Sequence, residues 1–278
     1  MRTRSAWIGA VLCGVLLLIA FVGPLAARDP LALDIDHGLT ELGAPIGPSL
    51  QAPLGTDALG RDVWARVAEG AGTSLWIAFA ATVLSIVAGV AVGLIAGYAG
   101  GRVDNALMRM TDLALAFPFL LLAILLAALL RGSAAAASNA PVIVPLAIVG
   151  WTTFARVVRA KAMTLVRGDY VVAARALGAS GSRVLVHHVL PNLLGVVVVA
   201  SAFGFAQNLL AESALSYLGL GAPPPAPSWG RMLFEARAYY RTAPWLVLAP
   251  GFAIVLAVVA FNLLGEGLRA RFDPKERT

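Results

Sequence analysis

The sequence predicts an all-α integral membrane protein with six transmembrane helices, and three observations carry that prediction. Hydrophobic residues make up 59% of the 278 positions and charged residues 13%, with a mean hydropathy of +0.83, far more apolar surface than a soluble core of this length can bury. Six runs with little or no charge recur along the chain, at Ala6 to Ala27, Thr73 to Gly101, Leu113 to Leu130, Gly132 to Ala155, Val184 to Ala211 and Thr242 to Gly265. Each supplies the roughly 20 residues that a helix needs to cross a bilayer. The basic residues flank these runs instead of forming a stripe interleaved with aromatics, a pattern that sets membrane orientation and excludes nucleic-acid binding despite the net charge of +6.

The first run follows Arg2 and Arg4 and ends at Ala26-Ala27, which looks cleavable, yet it is long for a signal core and the chain continues as membrane. Residues 1–27 therefore read as an uncleaved anchor helix. Residues 28–72 form an external loop rich in Pro and Gly. Within it Thr56 or Asp57 is placed to cap an amphipathic helix with Leu59, Val63 and Val67 on one stripe and Trp64 at the interface. Residues 73–268 form the core, and residues 269–278 a basic tail. Gly89, Gly93 and Gly97, spaced by four, let the second run approach a neighbouring helix closely. A second external segment, Gly221 to Ala243, is stiffened by Pro223, Pro224, Pro225 and Pro227 and carries interface aromatics.

Between the fourth and fifth runs lies a soluble-looking insert over 168–191. Asp169 is expected to cap a short helix whose Ala173 and Ala174 leave one side nearly bare, with Arg175 beside them. Gly178 ends that helix in a left-handed turn, and a second short helix runs to Leu190-Pro191. Two short helices with a smooth face suit docking. Six spans put both termini on one side, which with this insert holds fourteen of the 21 basic residues against seven on the other, so both termini and the insert are placed in the cytoplasm.

Other chemistries find little support. The single cysteine, Cys13, sits inside the first run, so no disulfide framework or cysteine-based metal site is available. The two lysines, Lys161 and Lys275, follow Ala160 and Pro274, so no Gly-Lys-Ser/Thr phosphate loop exists and any ATP is hydrolysed by other chains. Ion-coupled transport should place acids or histidines at mid-membrane. Instead Asp104 and Asp112 flank a cytoplasmic loop, Glu266 lies near the inner end of the sixth run, and the adjacent His187 and His188 read as surface residues. Glu212, toward the outer end of the fifth run, is the candidate for the translocation path or outer gate, as a carboxylate that packs the gate or reaches interfacial water. No catalytic triad, paired-carboxylate spacing or His-Glu-x-x-His motif appears, so a membrane enzyme is the weakest reading and no catalytic, cofactor or metal residue is assigned.

The insert resembles the cytoplasmic coupling motif of ATP-binding-cassette importer permeases: Glu-Ala-Ala, three residues, Gly, nine residues, an apolar residue, one residue, Leu-Pro. Ala173, Ala174, Gly178, Leu190 and Pro191 fit its spacing, while Val172 stands at the glutamate position and His188 at the apolar one. Asp169 and Arg175 are the charges nearby. Further stretches are similar to the dipeptide, oligopeptide and nickel branch of that family, in order from Pro53 to Pro274. They are Pro53-Leu-Gly-Thr-Asp57 with Leu59-Gly-Arg-Asp62, Gly97-Tyr-Ala-Gly-Gly101 with Asp104, Ala116-Phe-Pro118, Leu215 to Gly221, Pro227-Ser-Trp-Gly230, Ala243-Pro-Trp245, and Phe261 to Arg269 with Asp273-Pro274. The resemblance implies a type I ABC importer permease-like bundle in the bacterial plasma (inner) membrane. It implies a homologous second permease subunit, two cytosolic ABC ATPase subunits or domains that bind ATP and Mg, and an extracytoplasmic solute-binding protein. Di- or oligopeptides are the implied cargo, with nickel, glutathione or another small solute as the alternative.

Overall fold

The structure, a computed structural model, describes residues 2–272, all of whose regular elements are helical apart from isolated bridges. Helix α1 (Arg2–Ala26) is followed by the single turn α2 (Ile35–Gly38) and by α3 (Val63–Ala99), whose 37 residues reach about 55 Å, well beyond the bilayer core. The chain continues through α4 (Gly101–Ala116), α5 (Phe119–Arg131), α6 (Ala140–Leu165), α7 (Asp169–Ala176) and the turn α8 (Gly181–Arg183). It ends with α9 (Leu190–Tyr217), α10 (Trp229–Ala236) and α11 (Trp245–Phe272). Among the described residues, five helical stretches are long and apolar enough to cross a membrane, and the bent pair α4–α5 makes a sixth if it counts as one span.

Four expectations are corrected. The amphipathic segment is not capped by Thr56 or Asp57: Asp62 caps α3, accepting from Trp64 N at 2.9 Å, and the helix runs unbroken to Ala99. Thr56 and Asp57 are occupied in the preceding loop, Thr56 Oγ1 accepting from Ile46 N and Asp57 Oδ1 from the amides of Leu59 and Arg61. The third run is not one straight span, because Pro118 holds Phe117 in extended backbone and the chain bends by 85° between α4 and α5. The fourth helix starts at Ala140 and not near Gly132, since Ser133 and Ser138 close a 3₁₀ turn over Ala134–Ala137. The insert's second short helix does not stop at Pro191 but runs into α9 through a π-helical turn, Val184–Val189. Of the predicted tail, residues 269–272 form the last turn of α11; the remainder, with Asp273-Pro274, lies outside the described residues.

The bundle is held by close helix contacts where side chains are small. Gly93 and Gly97 lie against α6 so tightly that an added Cβ would come within 2.9 Å of Val158 and 2.7 Å of Ala162. The glycine stripe thus serves contact inside this chain. Helix α1 lies along α11, where Gly267 meets Ala6 and Gly9 meets Leu264. Above the spans, residues 28–62 and 218–244 form a cap around the fully buried Trp229, whose Nε1 donates to Val67 O at 3.0 Å. Trp245 ties the cap down by donating to Thr56 O at 3.1 Å.

Candidate coupling segment and membrane cavity

Helix α7 is short, and its ends explain why. Gly168 is the N-cap and offers no side chain; Asp169, expected as the cap, is the first helical residue and places its negative charge at the positive end of the helix dipole. At the other end Gly178 takes φ +85°, Gly178 N donates to Arg175 O and Ala179 N to Ala174 O, which closes the helix in a Schellman motif. A residue with a Cβ is strained in that backbone conformation.

One side chain roots α7 in the bundle. Val171 is fully buried among Val158 and Ala162 of α6 and Val184, Val189 and Leu193 of the following turn and α9. The opposite face is free and apolar: Val172 is 58% exposed, Leu177 89%, and Ala173 and Ala176 are exposed between them. Ala174 is half-buried. Arg175 stacks its guanidinium over Tyr98, the penultimate residue of α3, at 5.1 Å from the ring centroid, and Gly181 sits against the same tyrosine hydroxyl. Tyr98 therefore braces both halves of the insert. Leu190 is half-buried at the start of α9 and Pro191 is exposed in its first turn. Because Pro191 has no N–H to offer the preceding turn, the helix widens there, and Asn192 Nδ2 donates to His188 O at 2.7 Å. His187 is exposed and His188 half-buried.

A second feature was not found from sequence. Between α5, α6 and α9 lies an open cavity of about 740 Å³, lined among others by Phe119, Thr152, Phe154, Gly204, Gln207 and Asn208. Asn208 is buried and donates from Nδ2 to Thr82 Oγ1 of α3 at 2.9 Å, leaving its neighbour Gln207 exposed toward the opening. A search for charged residues passes over these amides. Two consecutive amides within an apolar run were the available signal.

Glu212 lies one turn beyond, but its carboxylate does not reach interfacial water. It is completely buried, accepting from Ser216 Oγ at 2.7 Å and Ser213 Oγ at 3.4 Å, with the buried hydroxyls of Ser74 and Ser228 beside it. The serines supply the hydrogen bonds that water would have given. It joins α3, α9 and the start of α10 and does not line the cavity.

Comparison with known proteins agrees with this architecture. Residues 89–278 match the family model described as binding-protein-dependent transport system inner membrane component. The chain is 38% identical to the dipeptide transport system permease protein DppC of Alkalihalophilus pseudofirmus, covering 100% of this chain and 88% of that one. It is 41% identical to a putative peptide transport system permease protein of Brucella suis, over 99% of this chain and 89% of that one. With the oligopeptide transport system permease protein OppC of Bacillus subtilis it shares 36% identity over 100% of its own length and 88% of the relative's. Among solved structures, an inward-facing form of the MetNI methionine ABC transporter has a chain that superposes with a TM-score of 0.63 at 17% identity, covering 76% of this chain and 97% of that one, which speaks to the fold alone. A family match over two thirds of the chain and full-length relatives well above 30% identity lead to one conclusion: the chain belongs to the inner-membrane components of binding-protein-dependent transport systems.

Proposed function

We propose that this chain is one of two homologous permease subunits of an importer for di- or oligopeptides, and that the α7 segment is where it receives mechanical work. The observation that carries this reading is the free apolar face of α7, rooted by Val171 at the common end of α3, α6 and α9. A small, smooth, well-anchored surface suits a socket on a separate motor protein. The chain has no phosphate-binding loop, and two cytosolic ATPase subunits that bind ATP and Mg supply the energy. Both termini and α7 face the cytoplasm, as the basic-residue asymmetry supports. A binding protein delivers cargo to the capped outer face, and closure of the ATPases rocks the two permeases about the cavity between inward- and outward-facing states.

The named residues take mechanical roles. Ala173 and the partly covered Ala174 keep the docking face flat, Asp169 and Arg175 supply charge nearby, Gly178 makes the turn, and Leu190 with Pro191 starts the exit into α9. With Val172 at the position where the resembling motif carries glutamate, the grip on the ATPase is mainly apolar. Full-length similarity to dipeptide and oligopeptide permeases supports peptide as cargo. The test is Gly178→Asp in the complete transporter: the positive φ and the docking surface are both disturbed, so peptide uptake is lost while assembly and ATP hydrolysis persist. Normal uptake by that variant refutes the assignment. Uptake assays with labelled dipeptide, free nickel and glutathione decide the cargo.

A further inference from the structure

Helix α4 has a joint at each end. Before it, Gly100 and Gly101 both take positive φ, 61° and 54°, and a Cβ on either would meet open space, so a backbone requirement and not packing explains the pair. After it comes the 85° bend at Phe117-Pro118. Between the joints α4 exposes Val103, Met110 and Leu113 and is held to α6 by two ion pairs. Arg159 forks onto both carboxylate oxygens of the buried Asp104, Nη2 to Oδ2 at 2.6 Å and Nε to Oδ1. Arg156 Nη2 meets Asp112 Oδ1 at 2.6 Å on the exposed side of the same contact. A bidentate pair with one partner buried and the other half-buried fixes distance and direction together, whereas an exposed single contact holds weakly.

The two neighbours of α4 make this attachment matter. On one side α6 is packed tightly onto α3 and carries α7 through the link at 166–168. On the other, beyond the second joint, α5 and the end of α4 wall the cavity with Phe119, Leu120 and Leu115. We propose that Asp104 and Arg159 form a transmission pin that makes α4 follow α6, so that displacement of α7 reaches the cavity wall through α4 and the Phe117-Pro118 joint. Both are positioning residues, and the idea rests on the reading of α7 as the coupling segment.

The experiment uses the complete transporter, with its ATPases and binding protein, in liposomes. Asp104→Ala and Arg159→Ala each lower uptake about tenfold while ATP hydrolysis stays within about twofold of normal, and the exchange Asp104→Arg with Arg159→Asp restores most of the uptake. Spin labels at the exposed positions Asn105 and Ala160, in a Cys13→Ala background, report whether α4 and α6 move as one. Their separation stays constant between nucleotide-free and ATP-trapped states in the otherwise unaltered protein and becomes broad and state-dependent with Asp104→Ala. Single variants with undiminished uptake, an exchange no better than the singles in an assembled complex, or a separation that shifts by several ångströms on trapping overturns the pin. If Gly178→Asp uncouples and Asp104→Ala does not, the pin alone is wrong; if Gly178→Asp imports normally, the coupling segment itself is misassigned.

Discussion

Glu212 carries a carboxylate's full demand for hydrogen bonds into a completely buried site with no cationic partner among the described residues, and serines from three elements answer it. Replacing it with glutamine keeps an acceptor for Ser216 Oγ, whereas leucine leaves that hydroxyl without its acceptor in a closed space. Stranding a buried polar group costs about 1–3 kcal/mol. Glu212→Leu is therefore expected to lower the Tm of the detergent-solubilised complex clearly more than Glu212→Gln; equal Tm values for the two would show that the hydroxyl cluster does not depend on this acceptor. The sequence placed Glu212 near the outer end of a span but not in its serine nest, because Ser74 and Ser228 arrive from α3 and the cap through tertiary packing alone. Gly178, by contrast, was legible: its left-handed turn is a local property of a helix end, and the backbone there has φ +85°.

At the scale of elements, the α3–α6 contact is the mechanical backbone. Any side chain at Gly93 must displace Val158 or the α6 backbone, and overpacking of this kind costs about 1–3 kcal/mol. Gly93→Ile is expected to lower the Tm of the complex and to weaken the link from α7 to α3. Gly72→Ala, where the added methyl meets nothing nearer than 3.9 Å, serves as the matched substitution on the same helix and is expected to be neutral or slightly stabilising. A Gly93→Ile protein as stable as Gly72→Ala would mean that the helices part freely. The spans were legible because apolar length is a local property, and the spacing of Gly89, Gly93 and Gly97 announced a close contact without naming its partner. The break at Pro118 was written in the sequence as Phe117-Pro118 yet masked by apolar residues on both sides. The π-helical entry to α9 was not legible, since Pro191 forbids one hydrogen bond without specifying how the preceding turn rearranges.

Across the whole molecule, charge is concentrated where the cap meets the bundle. Arg66, only 2% exposed near the start of α3, reaches Asp57 of the preceding loop at 2.5 Å and Glu235 of α10 at 2.8 Å, so one guanidinium ties α3 both to the loop just before it and to α10, distant in sequence. Arg61 spans the same two acids at 2.7 and 3.1 Å, and Arg231 adds a third contact to Glu235. Read along the chain, these residues lie in two separate segments, one over residues 28–72 and one stiffened by prolines over Gly221 to Ala243; the network exists only because α3 begins at Val63 and turns Arg66 inward toward α10. Removing the shared cation leaves Asp57 with Arg61 alone and Glu235 with Arg61 and Arg231, and breaking a buried pair by deleting one partner costs about 3 kcal/mol at the lower end of the usual range. Arg66→Met is accordingly expected to speed amide hydrogen exchange across residues 34–62 and in α10, while exchange in the α3–α6 contact stays slow. Exchange in the cap indistinguishable from the unaltered protein would mean that Trp229 and Trp245, with the remaining Arg61 and Arg231 contacts, hold it without Arg66.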